Sequence, residues 1–181
     1  DLVFKGCRSC LVCKLKDKPK GKCYYNDEAT PLIEKILDAD TLLIGSPIYF
    51  GEPTSEFRAL LERLIFCLMS YDDGSSYFTG KVNVGIFYTM NAPREFYEES
   101  MKDSLSSIEF LFSYLNGEII SYPVCDTLQV GDYSKYNMAG FSQELKEKQL
   151  VLQYPKDIEK AFEISRSEER RVGKECRSRW S

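Results

Sequence analysis

A chain of 181 residues, 43% hydrophobic and 29% charged, is long enough to bury one core and too apolar to stay disordered. Its formal net charge of −4 argues against a general nucleic-acid or membrane-surface binder, and no apolar run approaches the ~18–20 residues of a bilayer span. Histidine is absent, which removes serine–histidine and cysteine–histidine nucleophile pairs and histidine-ligated metals.

The chain opens on Asp1, not Met, and runs at once into Cys7, Cys10, Cys13 and Cys23, so an N-terminal truncation is expected. Between the last two cysteines Lys14, Lys16, Lys18, Lys20 and Lys22 alternate with other residues, as if lining one side of an extended loop. Thr30-Pro31 reads as a helix opening, Thr as cap and Pro in the first turn, with Leu32, Ile33, Ile36 and Leu37 on one face. Residues 41–45 form a short apolar run expected of a strand buried on both faces, followed by a loop over 46–53. Phe57, Leu60, Leu61, Leu64, Ile65 and Leu68 recur at helical spacing, with Glu56, Arg58, Glu62 and Arg63 between them as the polar positions.

A polar connector at 72–76 precedes a second buried strand at 82–88 and a loop at 89–93. Residues 95–115 read as one long helix closed by Asn116-Gly117, and 118–124 as a third strand. Two further helices are expected at 141–150 and 156–164, separated by Pro155. Residues 166–181 hold the chain's one Trp and no apolar periodicity, and they resemble a translated sequencing adapter. The tail is therefore expected to be artefactual, against the alternative of a natural basic tail for an acidic partner.

Strands alternating with helices imply right-handed crossovers and an α/β domain over 1–165, a parallel sheet between helical layers. Such sheets bind ligands at the carboxyl ends of their strands, here the loops after 45, 88 and 124. Four bunched cysteines, with Cys67 and Cys125 alone in apolar surroundings, suit a cytoplasmic protein with a ligand cluster better than a disulfide framework.

Three features in order resemble one family: Cys7-x2-Cys10-x2-Cys13 with Cys23 and Asn26-Asp27; the segment ADTLLIGSPIYF at 39–50; and the helix that begins at Phe57. Together they look like the NAD(P)H-dependent FMN reductases and iron–sulfur flavoproteins of the flavodoxin-like fold. The resemblance implies a three-layer sandwich in which 42–45, 82–88 and 119–122 are the third, fourth and fifth parallel strands. The first strand and the phosphate-binding loop of that fold have no counterpart here. It implies FMN contacts from Ser46, Pro47, Ile48, Tyr49, Phe50 and Gly51, where a stiff turn, two aromatic rings and a glycine allow close backbone approach. Thr89, Met90 and Asn91 are the equivalent loop along the isoalloxazine.

Cys7, Cys10, Cys13 and Cys23 have the soft donors of an iron–sulfur cluster, although the nine residues before Cys23 exceed the family's usual gap. Zinc, or no metal with packed or reactive thiols, stays open beside it. The implied activity passes electrons from NAD(P)H through FMN to a quinone, a flavin or another small-molecule or protein acceptor. No catalytic side chain is needed for hydride transfer. The alternative is a non-enzymatic flavin and iron–sulfur electron-transfer or redox-sensing protein. A homodimer or homotetramer is expected, with no nucleic-acid or membrane partner.

Overall fold

The computed structural model describes residues 2–178, with side chains as far as Arg166. Strand β1 spans Thr41–Tyr49, β2 Glu52–Pro53, β3 Val82–Thr89 and β4 Asn116–Val124. They form one sheet in the order β2-β1-β3-β4. β1, β3 and β4 run parallel, with Leu42 opposite Val84 and Val84 opposite Ile119. The short β2 folds back antiparallel on the tip of β1, pairing Ile48 with Pro53. The three apolar runs of the sequence are thus adjacent parallel strands in chain order. The helices are α1 (Ala29–Leu37), α2 (Ser55–Leu68), α3 (Arg94–Ser100), α4 (Lys102–Phe110), α5 (Gln143–Leu152) and α6 (Tyr154–Ser178).

β3 is the central strand, and its alternation assigns the two faces. Val82, Val84, Ile86 and Tyr88 point to one side and are all but sealed from solvent. There they meet the apolar stripe of α2, with Phe57 packed against Tyr88 and Phe112 at ring-centroid distances of 6.5 and 6.2 Å. Gly85 points to the other side. A Cβ there would sit 2.7 Å from Leu43 and 3.3 Å from Ile164 of α6, so its missing side chain lets strand and helix close together. Helices therefore cover both faces of a mostly parallel sheet, which makes the domain a three-layer α/β sandwich.

Four sequence expectations change. β1 does not stop at Gly45: pairing with β3 continues through Ser46 and Pro47, opposite Tyr88 and Thr89, because β3 is equally long. Pro47 is tolerated where β1 is an edge strand, its outer side paired only at the tip. Thr30 is not the cap of α1, which begins at Ala29. Asp27 does that work, its carboxylate accepting the Ala29 N–H (3.1 Å) while its own N–H donates to Thr30 Oγ1 (3.1 Å).

The long helix at 95–115 is interrupted at Met101 and tightens to a 3-10 turn at Leu111–Leu115. Ser106 and Ser107 bond back to the carbonyls of Lys102 and Asp103, the back-bonding that bends helices. Finally, Pro155 sits in the first turn of α6 instead of dividing two segments, a position where its missing N–H costs nothing. The nature of the tail rests on side chains after Arg166 and residues 179–181, which lie outside the described set. Among the described residues no helix is long and apolar enough to cross a membrane.

Candidate active site at the strand ends

The carboxyl ends of β1, β3 and β4 meet at one edge, with Pro47 opposite Thr89 and Thr89 opposite Val124. Both predicted cofactor segments, 46–51 and 89–91, are therefore neighbours. Ser46 is buried, and its hydroxyl is fully engaged: it accepts the Thr54 N–H at 3.0 Å and donates to the Pro47 carbonyl at 2.8 Å. Thr54 in turn caps α2 by accepting the Phe57 N–H. Ser46 thus ties the strand tip to the start of the helix. Ile48 points into the core, whereas Tyr49 is 62% exposed and Phe50 is completely exposed. Phe50 (φ 54°) and Gly51 (φ 84°) form the left-handed turn between β1 and β2. An exposed aromatic residue in this left-handed conformation gains nothing from packing, so the fold alone does not account for it.

After β3 the chain is locked by backbone pairs: the Met90 N–H donates to the Val124 carbonyl (2.9 Å), Asp126 to Ala92 (2.8 Å) and Thr127 to Met90 (3.0 Å). Met90 is buried and Thr89 exposed. Lys146 of α5 closes the join from behind. Its ammonium donates to the Asn91 carbonyl at 2.6 Å and to the carboxylate of Asp126, a residue held at φ 60°. The side-chain oxygen Asn91 Oδ1 is buried with no donor. A buried acceptor without a partner is costly, so its presence here points to a donor supplied by something bound. Tyr88 Oη in β3 is the other buried side-chain oxygen without a partner among the described residues, and burial pushes its phenol upward in pKa.

The cysteines lie elsewhere. Cys7, Cys10, Cys13 and Cys23 converge on the second half of α2, beside Arg63 and Cys67. That is about 12 Å along the helix from its start at the strand ends. Arg63, expected among the polar positions of α2, has a side chain only 1% exposed. It pairs with Asp27 at 2.7 Å, donates to the carbonyls of Lys5 and Tyr25, and directs Nε–H at Cys23 Sγ at 3.2 Å. Burial of Asp27 works against its ionisation, but the hydrogen bond and charge of Arg63 together with the Lys5 and Ala29 N–H groups outweigh it and hold the carboxyl below its usual range.

Nor do the lysines form one row. Lys14 turns inward, donating to the carbonyls of Phe66 and Met69 and sitting 4.7 to 5.5 Å from the centres of the Phe66, Tyr71 and Tyr77 rings. Lys20 bonds back to the Leu15 carbonyl, and Lys22 pairs with Glu34. Among the described residues no group of three or more cysteine or acidic side chains is disposed to hold a metal ion. The described side chains therefore give no support to an iron–sulfur cluster or a zinc ion.

The sequence model for NADPH-dependent FMN reductases matches residues 4–112, more than half of the chain and both cofactor segments. The chain belongs to the NADPH-dependent FMN reductase family. It is 33% identical over 63 residues to an iron–sulfur flavoprotein of Methanocaldococcus jannaschii, and 35% identical over 63 residues to one of Archaeoglobus fulgidus. Those segments make up 35% of this chain and 31% and 29% of the two relatives, so the match spans about a third of their length. The NAD(P)H:quinone oxidoreductase of Methanothermobacter marburgensis superposes with a TM-score of 0.50 at 13% identity. That superposition covers 65% of this chain and 58% of the other, and it supports the flavodoxin-like fold.

For a member of the FMN reductase family, the strand-end site has suitable parts. It offers an unsatisfied buried acceptor at Asn91, exposed rings at Tyr49 and Phe50, and a loop braced from behind. Lys146 and Asp126 were not singled out from sequence. The one signal was negative: α5 carries only a weak apolar stripe, and a lysine within it reads as solvent-facing until Asp126, 20 residues away, folds against it.

Proposed function

We propose that the chain is the FMN-binding part of an oxidoreductase that takes electrons from NAD(P)H and delivers them to a quinone, a flavin or another acceptor. The observation that carries this reading is Asn91 Oδ1, a buried acceptor lacking a donor at the end of β3, within the segment matched by the family. The isoalloxazine edge carries one ring N–H between two carbonyls, which supplies the missing donor. FMN, when bound, accepts the hydride and passes electrons on singly or in pairs.

The chain's own residues bind and orient. Asn91 and the backbone of 89–91 meet the polar edge of the ring. The turn at 46–51 supplies close backbone approach at Gly51 and the Tyr49 and Phe50 rings as a wall against water. Ser46 acts through position, since its hydroxyl is committed to Thr54 and Pro47. Self-association into a dimer or tetramer belongs to the same reading, supported by the exposed Leu43, Tyr49 and Phe50 side chains on and beside β1. The electron-carrier reading draws no support from the cysteines, whose arrangement does not close on a metal.

Titration of the chain with FMN, followed by quenching of flavin fluorescence, tests this directly. Saturable one-to-one binding is expected. Asn91→Ala is expected to weaken it about tenfold or more, equivalent to about 1.4 kcal/mol for a lost hydrogen bond. Non-saturable quenching, or equal affinity in Asn91→Ala, would contradict the assignment.

A further inference from the structure

A cavity of about 190 Å³ opens beside the carboxyl ends of β3 and β4, between the sheet, α5 and the first turn of α6. Residues 124–128 line its sheet side, and Gln149, Leu150, Gln153, Tyr154 and Asp157 its helical side. It shares Thr89 with the candidate flavin segments, but no other residue of 46–51 or 89–91 lines it. The volume is below that of a pocket for drug-sized molecules and suits a smaller ligand.

The lining holds two carboxylates. That of Asp126 is paired with Lys146. That of Asp157 has no lysine or arginine partner among the described residues, and Arg94, which starts α3, directs its guanidinium to the Pro123 carbonyl (2.9 Å). Asp157 is nevertheless only 5% exposed. Its two donors are neutral groups that meet the same oxygen: Tyr122 Oη and the Gln153 amide both donate to Oδ1 at 2.8 Å. Burial, with the bond to Asp157 adding to it, pushes the Tyr122 phenol up to about 12, so it stays a donor. The first turn of α6 favours a negative charge here but gives Oδ2 no donor. A buried charge without a counter-charge is costly, so a cation from outside the chain fits this place.

The rest of the lining narrows the kind of cation. Gln153 uses its amide N–H on Asp157, which leaves its carbonyl oxygen as an acceptor, and Gln149 brings a second side-chain amide one turn earlier. With Oδ2 of Asp157 these match the three N–H donors of a primary ammonium group. Leu128, Leu150 and the Tyr154 ring supply apolar surface, Leu150 and Tyr154 being 43% and 51% exposed and so open to a ligand. A quinone or an anion would set further acceptors against the Asp157 carboxylate.

We propose that this cavity binds a small primary amine with an apolar body, its ammonium group seated on Asp157. Asp157 supplies the counter-charge and a free acceptor oxygen, the glutamine carbonyls take the remaining N–H groups, and Leu128, Leu150 and Tyr154 cover the body. The site goes beyond the flavin reading and does not rest on it.

Titration of the isotope-labelled chain, without flavin, with benzylamine near neutral pH and with amide NMR shifts as the readout tests the proposal. Saturable binding is expected, with shifts centred on 124–128 and 149–157. Benzyl alcohol has the same shape without the charge, and benzyltrimethylammonium keeps the charge without N–H donors. Each should bind tenfold or more weakly than benzylamine. Asp157→Asn keeps an acceptor for Tyr122 and Gln153 while removing the charge, and it should weaken benzylamine tenfold or more.

The wild-type chain decides the matter even if that variant fails to fold. Equal affinity for benzylamine and benzyl alcohol would overturn the proposal, as would shifts centred elsewhere or shifts that do not saturate.

Discussion

Lys146 shows how one side chain can hold a loop in place. Its side chain is 7% exposed, its ammonium joins the carboxylate of Asp126 to the carbonyl of Asn91, and both acceptors lie at the carboxyl ends of the strands. Removing one member of a buried pair leaves the other charge without compensation, which costs about 3–5 kcal/mol. Lys146→Met is therefore expected to lower stability by about 3 kcal/mol, and adding Asp126→Asn should recover part of the loss. Urea midpoints of the two variants check this. An unchanged midpoint for Lys146→Met would mean that the loop stands on its backbone bonds alone. Neither Lys146 nor Arg63 was legible in the sequence. A basic residue in a helix reads as solvated, and only tertiary folding brings Asp126 to one and Asp27 to the other.

At the scale of elements, the β3–β4 pair depends on close backbone contact at its start. A Cβ on Gly117 would lie 1.9 Å from the Val82 carbonyl oxygen, where the pairing shifts register between Val82 and Val84. Asn83 Oδ1 accepts the Glu118 N–H at 3.0 Å across the same irregularity. Backbone cannot yield as a flexible side chain does, so Gly117→Ala is expected to cost about 4 kcal/mol or more. A broadened or lost thermal transition would show this, whereas wild-type melting would refute it.

β3 and α2 could be read in advance because a both-face-buried strand and a 3.6-residue stripe leave their pattern in the sequence. Residues 41–45 are a strand as expected, but not one buried on both faces, since β1 is an edge strand with Leu43 49% exposed. The tip of β1 could not. Ser46 and Pro47 look like a turn, and only the length of β3 beside them makes them strand. The break at Met101 was equally hidden, since the apolar spacing that marks the helix falls at 105–115, after it, and nothing in 95–101 signals a stop.

For the molecule as a whole, the ionisable groups most shifted upward are acids kept neutral by burial. Burial raises Cys67 to about 12, and it raises Tyr122 to about 12 with help from Asp157. Cys13, Cys125 and Tyr97 are raised by burial too. In the unfolded chain such groups ionise near pH 8.5 for cysteine and 10 for tyrosine, whereas the folded chain keeps them protonated to higher pH. The folded state then binds more protons than the unfolded one, so stability falls as pH rises from about 8.5 toward about 12. Urea midpoints are expected to decline steadily over that window, and a flat or rising profile would show that these groups are not buried in solution.

The central claim is that the edge formed by 46–51 and 89–91 is a flavin site operating in an NAD(P)H-dependent reductase. Its most direct test is anaerobic addition of NADPH to the chain after FMN loading and gel filtration. The account predicts that FMN co-elutes with the protein and that its visible absorption band bleaches at one nicotinamide per flavin. Flavin that separates on the column, or stays oxidised with NADPH in excess, would contradict it.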